Sequence, residues 1–277
     1  MAAVIVEIAK AKINLALHVL GRRDDGYHEL DSVVAFAEIG DVLTISKADQ
    51  LHLVCTGRFA GAVPQAGENI IIKAWHELAA LFAERSLKLP AVHITLEKNL
   101  PVASGIGGGS ADAAAMLRGL LRLVMGSLNQ DQITALASIG ADVPVCFVGK
   151  PAHMAGIGEK ISVLTEQLPP ALVLVNPLLS CATAEVFKAM ALQPGALRPA
   201  PVKAAWRNDM TGAAIQVQPI ISDVLSALHK TNLYPVLMSG SGATCFGIAR
   251  SLEDAEAEAA SLFAKHPQWW VKAARIC

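Results

Sequence analysis

The residues best suited to chemistry lie in the stretch 101–115, which reads PVASGIGGGSADAAA. Gly105, Gly107, Gly108 and Gly109 lack side chains, so another molecule can come close to their backbone, and each tolerates a positive φ. An alternating apolar segment at 92–96 precedes the stretch, and an alanine- and leucine-rich segment follows it to Val124. The order predicted is strand, glycine-rich loop, helix. Successive amide N–H groups in such a loop, continued by the unpaired N–H groups of the helix's first turn, make a concave anion site. Ser110, at the junction, could cap the helix or offer its hydroxyl to a phosphate or its metal ion. The natural guest is a nucleotide phosphate.

Two common phosphate loops do not fit. A Walker-type loop ends in Gly-Lys-Ser/Thr, and Gly108-Gly109-Ser110 supplies no lysine; the Gly149-Lys150 pair runs into Pro151. A dinucleotide fingerprint wants a third glycine where Ser110 stands and an acidic residue about 20 positions on, and around Met125 there is none. The bland alternative is a flexible turn between strand and helix.

Other candidates are scattered along the chain. Lys12 and Asn14 fall on one face of a predicted strand, with Ile13 on the other; a solvent-facing pair is the quiet reading. Tyr27 and His28 leave the charged turn 21–26, where a ring and an imidazole could stack on and hydrogen-bond a flat heterocycle, or merely cover an edge. Asp142 sits in the apolar run Gly-Ala-Asp-Val-Pro-Val, where a carboxylate is either paired or working, unless it caps a helix before Val143-Pro144.

The elements that must position these residues follow from periodicity. The segment 4–19 reads as a strand or strand pair broken near 9–12, with strands at 32–38, 42–46 and 51–55. A loop at 57–67 leads to a helix at 69–84, with Glu68-Asn69 as possible caps. The helix after the glycine loop spans 113–123 and buries one stripe, and another at 131–139 is capped near Asn129. A hairpin is expected at 152–155 and 161–164. Leu168-Pro169-Pro170 is the best domain boundary. Beyond it come strands at 172–175, 234–238, 243–248 and 269–273, and helices at 183–192, 220–229 and 252–264. A loop covers 193–201, and Ser239-Gly240-Ser241-Gly242 is a second glycine turn. Alternating strands and helices with antiparallel returns suggest an α+β sandwich for this half.

Composition narrows the class. The chain has 277 residues, 53% hydrophobic and 17% charged, with net charge −1, so it can bury a large core as one or two domains. Dispersed basic residues and near-neutrality argue against nucleic-acid or membrane partners. The five cysteines are far apart with no CxxC pair, which argues against a disulfide framework or zinc site and makes a cytoplasmic home the simplest. The opening apolar run meets Glu7, Lys10 and Lys12, and reads as neither a signal peptide nor a spanning helix.

Taken together, the segments resemble the GHMP kinase superfamily. Pro101-Val-Ala-Ser-Gly-Ile-Gly-Gly-Gly-Ser-Ala-Asp-Ala-Ala resembles its phosphate loop, and Met238-Ser-Gly-Ser-Gly-Ala-Thr-Cys-Phe its third motif. Ala11-Lys-Ile-Asn-Leu, Asp24-Asp-Gly-Tyr-His-Glu-Leu and Gly140-Ala-Asp-Val-Pro-Val narrow it to members whose small-molecule substrate is a cytidine diphosphate-linked methylerythritol. The matches run in order from about Lys10 to Ile248.

The resemblance implies a two-domain α+β GHMP kinase fold. Its N-terminal domain, 1–166, would be ribosomal-S5-like and its C-terminal domain, 167–277, ferredoxin-like, with a cleft between them. It implies ATP and Mg²⁺, with Asp142 taking the proton from the substrate hydroxyl and Lys12 keeping Asp142 ionised. Pro101, Val102, Ala103, Ser104, Gly105, Ile106, Gly107, Gly108, Gly109 and Ser110 would hold the ATP phosphates, and Ser110 with the phosphates the Mg²⁺. Asn69 would lie near the adenine. Tyr27 and Phe187 would sandwich the cytosine while His28 reads its polar edge, and Asn14 and Thr183 would add hydrogen bonds. Ala103-Ser104, Ile106 and Ala111 depart from the usual glycines, leucine and serine but leave the backbone cradle intact.

Three other readings make different demands on the sequence. Another kinase of the superfamily, of homoserine or mevalonate type, would lack the cytosine-reading aromatics. A non-catalytic nucleotide-binding relative would not need Lys12, Asp142 and Ser110. An RNA-binding protein on an S5-like fold would show a basic face.

Overall fold

The computed structural model describes residues 4–64, 69–195, 197–200 and 206–277. Two long strands open the chain, β1 (Val4–Arg22) and β2 (His28–Lys47). The break expected near 9–12 is absent, and β2 joins the two strands expected at 32–38 and 42–46. Alanines and lysines are weak strand formers, but pairing and burial override that local preference. Gly40 lets β2 continue, because a Cβ there would meet the Ala9 carbonyl carbon at 2.7 Å.

The chain divides into two compact units, both discontinuous in sequence. The first comprises Met1–Lys10, Gly40–Val102 and Gly108–Gly149. Its strands β3 (His52–Thr56) and β4 (Val92–Glu97) pair in parallel. β4 also pairs antiparallel with the second half of β2, from Val42↔Glu97 to Lys47↔Val92. Its helices are α1 (Ile70–Ala83), α2 (Gly108–Val124), α3 (Gln130–Ala135) and α4 (Val143–Val148).

Local signals explain where these helices start. Asn69 caps α1 by accepting the Ile71 N–H at 2.9 Å, while Glu68 lies outside the described residues, as do 65–67 of the expected loop. Asn129 and Gln132 form a reciprocal capping box on α3, which runs on into a 3₁₀ turn at Leu136–Ser138. Pro144 in the first turn of α4 and Gly149 at φ +62 after it bound that helix on both sides. α2 buries Ala113, Ala114, Met116, Leu117, Leu120 and Leu121.

One boundary differs in a way that matters. α2 begins at Gly108, so Gly108, Gly109 and Ser110 form its first turn and Ser110 is not its cap. Helix formation reaches back through the glycines because the buried alanine face further on anchors the helix.

The second unit comprises Ala11–Ile39, Ala103–Gly107 and Lys150–Cys277. Here β5 (Ala152–Gly156) pairs antiparallel with the first half of β2 and forms a hairpin with β6 (Lys160–Val163). Four further strands are β7 (Ala171–Asn176), β8 (Val236–Met238), β9 (Cys245–Ala249) and β10 (Trp270–Arg275). They form an antiparallel sheet in the order β10-β7-β9-β8. Helices α5 (Thr183–Ala189), α6 (Thr211–Val217), α7 (Ile220–Leu228) and α8 (Leu252–Lys265) belong to the same unit. Its core joins Val173, Val175 and Cys245 with Val186, Ala214, Ile221, Val224 and Leu262.

α6 was not expected. Its seven residues carry Thr211, Gly212 and Val217, none a strong helix former, and it forms by burying Ala213 and Ala214 in that core. Among the described residues no helix is long and apolar enough to cross a membrane.

Candidate active site

In the second unit two glycine turns far apart in sequence form one structure. Gly105 at φ +75 and Gly240 at φ +55 face each other so closely that neither has room for a side chain. A Cβ on Gly240 would sit 2.6 Å from the Gly105 carbonyl oxygen, and one on Gly105 would sit 2.7 Å from that of Gly242. Hydrogen bonds complete the joint. Ser239 Oγ donates to the Gly105 carbonyl at 2.9 Å, and the Thr244 N–H donates to that of Ser104 at 3.1 Å. Asn208, which nothing in the sequence singled out, donates through Nδ2 to the carbonyls of Met238 (2.8 Å) and Gly240 (2.7 Å).

Lys12 and Asn14 are led into this region by β1. The Lys12 N–H donates to the Ile106 carbonyl at 2.9 Å, and a Cβ on Gly107 would touch the Lys12 side chain at 3.2 Å. Both side chains are buried, so the solvent-facing reading fails for each. Asn14 receives further fixing. Its N–H donates to Ser239 Oγ at 3.1 Å and its Nδ2 to Ser32 Oγ at 2.9 Å. Its Oδ1 is buried with no protein partner, a state a bound hydroxyl would relieve. Thr183 Oγ1 and Ser241 Oγ share a hydrogen bond of 2.7 Å at the start of α5.

His28, not an open face, stacks on Phe187, with ring centroids 4.2 Å apart and planes 16° apart. Tyr27 is 60% exposed. His28 and Phe187 line a cavity of about 260 Å³ with Arg22, Ala184, Lys188, Ala191 and Leu192. That is below the roughly 300–1,000 Å³ of drug-sized sites and suits one flat base. Burial, and then the charge of Arg22, push the His28 pKa below its ordinary value, so the imidazole is neutral at pH 7. A neutral ring carries one donor and one acceptor nitrogen, which suits the edge of a base.

In the first unit, Pro101 and Val102 approach the loop from β4, and Gly108–Ser110 leave it as the first turn of α2 with its outward N–H groups. Ser110 Oγ lies 3.7 Å from where a Cβ on Gly140 would be, which brings the 140–142 turn beside α2. Asp142 occupies the N-cap position of α4, yet its side chain makes no capping hydrogen bond. The capping alternative therefore fails. Asn69 is buried, with Oδ1 on the Ile71 N–H and Nδ2 donating to the Pro64 carbonyl at 3.1 Å. Its side chain serves the α1 terminus before any ligand.

The sequence reading missed Lys98, Asp41 and Asp112, which form a buried ion cluster beside Gly108. Asp112 stood in plain view within the loop motif, but Asp41 is 57 residues from Lys98 and no spacing rule joins them. Among the described residues, no group of three or more His, Cys, Asp or Glu side chains is placed to hold a metal ion.

A glycine-rich loop that runs into the first turn of a helix offers backbone N–H groups of the kind that phosphoryl transfer uses for positioning. The family profiles agree: that for the GHMP kinases N terminal domain matches residues 69–150, and that for the GHMP kinases C terminal matches 199–268. The chain is a GHMP kinase, with that family's two-domain α+β fold. It is similar to 4-diphosphocytidyl-2-C-methyl-D-erythritol kinase of Paramagnetospirillum magneticum, at 49% identity over 97% of each chain. The same kinase from a Bradyrhizobium strain is 44% identical, covering 98% of this chain and 96% of its own. A crystal structure of 4-(cytidine 5'-diphospho)-2C-methyl-D-erythritol kinase superposes with TM-score 0.79 and 31% identity, over 98% and 99% of the two chains. Homoserine kinase from Cytophaga hutchinsonii, at TM-score 0.71 and 14% identity over 98% and 94%, shares the fold. Within the GHMP kinases, this chain belongs to the 4-diphosphocytidyl-2-C-methyl-D-erythritol kinase family.

Proposed function

We propose that this chain transfers the terminal phosphoryl group of ATP to the 2-hydroxyl of 4-diphosphocytidyl-2-C-methyl-D-erythritol, giving the 2-phosphate and ADP in non-mevalonate isoprenoid biosynthesis. The observation that carries this reading is the near-full-length identity to kinases of that name. The decisive experiment measures ADP release from ATP with that substrate, and with homoserine and mevalonate in its place. Turnover with either of the last two but not the first would sink the assignment.

Phosphoryl transfer asks for positioning and charge neutralisation more than for covalent chemistry, and the residues divide accordingly. The backbone of 101–110 cradles the phosphates. Asp142 accepts the proton of the attacking hydroxyl, or anchors that hydroxyl by charge, while Lys12 stabilises its oxygen. Asn14, through its unpartnered Oδ1, and Thr183 orient the erythritol. Mg²⁺ would be held by the phosphates and Ser110, and when bound it would neutralise charge on the transferring group. Asn69 supports the adenine side by fixing the start of α1.

At the cytosine end, binding exchanges one stack for another. The imidazole of His28 leaves the face of Phe187 to the base and turns to its polar edge, and Tyr27 closes from the other side. Arg22 and Lys188, lining the same cavity, suit the neighbouring diphosphate. Phe187→Ala is expected to raise KM for the cytidylyl substrate about tenfold or more, with kcat and KM for ATP little changed. Steady-state kinetics in both substrates check it; a loss confined to KM for ATP would contradict it.

A pH profile tests His28. Its pKa is depressed in the fold, so below about pH 6.5 the unfolded chain takes up a proton that the folded chain refuses, and this contribution to stability is lost as pH falls. Above that pH the imidazole is neutral in both states. KM for the cytidylyl substrate should be flat from about pH 8 to 6.5 and rise below, and His28→Gln should abolish the rise.

A further inference from the structure

The segments on either side of the glycine-rich loop are joined by a charged cluster to which the phosphate chemistry assigns no part. Lys98 Nζ lies 2.5 Å from Asp41 Oδ2 and 2.5 Å from Asp112 Oδ2. The three side chains are almost wholly enclosed, Lys98 at 3%, Asp41 at 0% and Asp112 at 4% exposure. The other oxygen of Asp41 accepts the N–H groups of Asn99 at 2.6 Å and Leu100 at 2.8 Å, the two residues that lead to Pro101. Asp112 lies on α2, just beyond its first turn. Lys98 Nζ also packs on Gly108, where a Cβ would meet it at 3.4 Å.

Stability does not account for this arrangement. Taking ions out of water costs several kcal/mol each, and a buried cluster recovers that only with good geometry and charge balance. Burial, with Asp41 nearby, pushes the Asp112 pKa well above the ordinary carboxylate range, so the second carboxylate resists ionising beside the Lys98–Asp41 pair, and Asp112 Oδ1 is buried with no hydrogen-bond partner. A Lys98–Asp41 pair alone would balance. What the second carboxylate adds is a tie to α2. Asp41 holds the chain before the loop by two backbone N–H groups, and Lys98 passes that hold to the helix after it.

We propose that Asp41, Lys98 and Asp112 form a clamp that sets the span of the phosphate loop, and that Lys98 and Asp112 are positioning residues for the nucleotide. This rests on the reading of residues 101–110 as the ATP phosphate site. A cradle of backbone donors works only while all of them keep their spacing, and a misplacement of about 1 Å costs on the order of 10²-fold. The clamp restrains that spacing from outside the loop, where no side chain need touch ATP.

The test is calorimetric titration of the full-length protein with ADP and, separately, with 4-diphosphocytidyl-2-C-methyl-D-erythritol. In Lys98→Met the Kd for ADP is expected to rise by about tenfold or more while that for the cytidylyl substrate stays within about twofold. Asp112→Asn keeps the balanced Lys98–Asp41 pair and weakens only the tie to α2. It carries the test should Lys98→Met not fold, with an expected rise of about fivefold for ADP alone. An unchanged Kd for ADP in a folded variant overturns the clamp and leaves the loop reading standing. Equal weakening of both ligands makes the cluster a general support and also overturns it. A wild type that fails to bind ADP overturns the loop reading and the clamp with it.

Discussion

Asp142→Asn is expected to lower kcat by about 10³-fold while the Kd for ADP stays within about twofold of wild type. General-base catalysis contributes about 10²–10⁴-fold. The loose transition state of phosphoryl transfer demands little early deprotonation, which favours the lower part of that range if Asp142 is chiefly an electrostatic anchor. The geometry makes the experiment clean. Asp142 stands at the N-cap of α4 without capping it, and Pro144 and Gly149 bound that helix independently. Removing the carboxylate charge therefore removes no helix cap. Lys12→Met is expected to cost a similar factor, and the double variant about the same as either single one, since residues acting as a unit are not additive. Burst-free ADP release, followed with saturating ATP and cytidylyl substrate, reads the effect. Turnover within about threefold of wild type in Asp142→Asn would remove the aspartate from the chemistry.

Gly105→Ala should be the most damaging small substitution in the chain. A methyl there meets the backbone of the second glycine turn, with the Gly242 carbonyl oxygen at 2.7 Å, and φ is +75, which an L-residue adopts only under strain. Backbone cannot step aside as a flexible side chain would. Glycine replacements at incompatible sites cost more than about 1 kcal/mol, and clash adds to this, so a loss of about 3 kcal/mol is expected. For a chain of this size that lowers Tm by roughly 6–12 °C. On the proposed reading of residues 101–110 as the phosphate cradle, KM for ATP should rise by about tenfold or more as well, because Gly105 lies within that loop. Gly212→Ala is the control. It lies in α6 with nothing within 4 Å of the new Cβ, so it should raise stability by about 0.5–1 kcal/mol. Thermal melts of the two variants, run beside wild type, decide the matter: a Gly105→Ala protein as stable as wild type would mean the two turns do not interlock.

Much of this was legible before any coordinates. The strand–loop–helix order around 101–115 follows from local pattern, because alternation, glycine content and an alanine-rich periodic run are short-range properties. Asn69 and Asn129 were readable as caps for the same reason, since a cap bonds within three residues of itself. The order of the motifs along the chain sufficed to place it among the GHMP kinases, and the family profiles agree.

What the sequence left undetermined depends on residues far apart. β1 and β2 run unbroken through weak strand formers because partners on either side override local preference. α6 exists because a core formed from β7, β9 and neighbouring helices needs Ala213 and Ala214. Only the fold decided that His28 would occupy the face of Phe187, 159 residues' worth of chain away by numbering, and that Gly105 would need Gly240 as its mate. The Asp41–Lys98–Asp112 cluster belongs to the same class. A buried charge tells nothing about its partner until the chain has brought the two together, since ion pairing depends on distance in space and burial, neither of which is a function of separation along the sequence. The sequence by itself determined the family and its chemistry; the tertiary structure alone decided which distant residues meet.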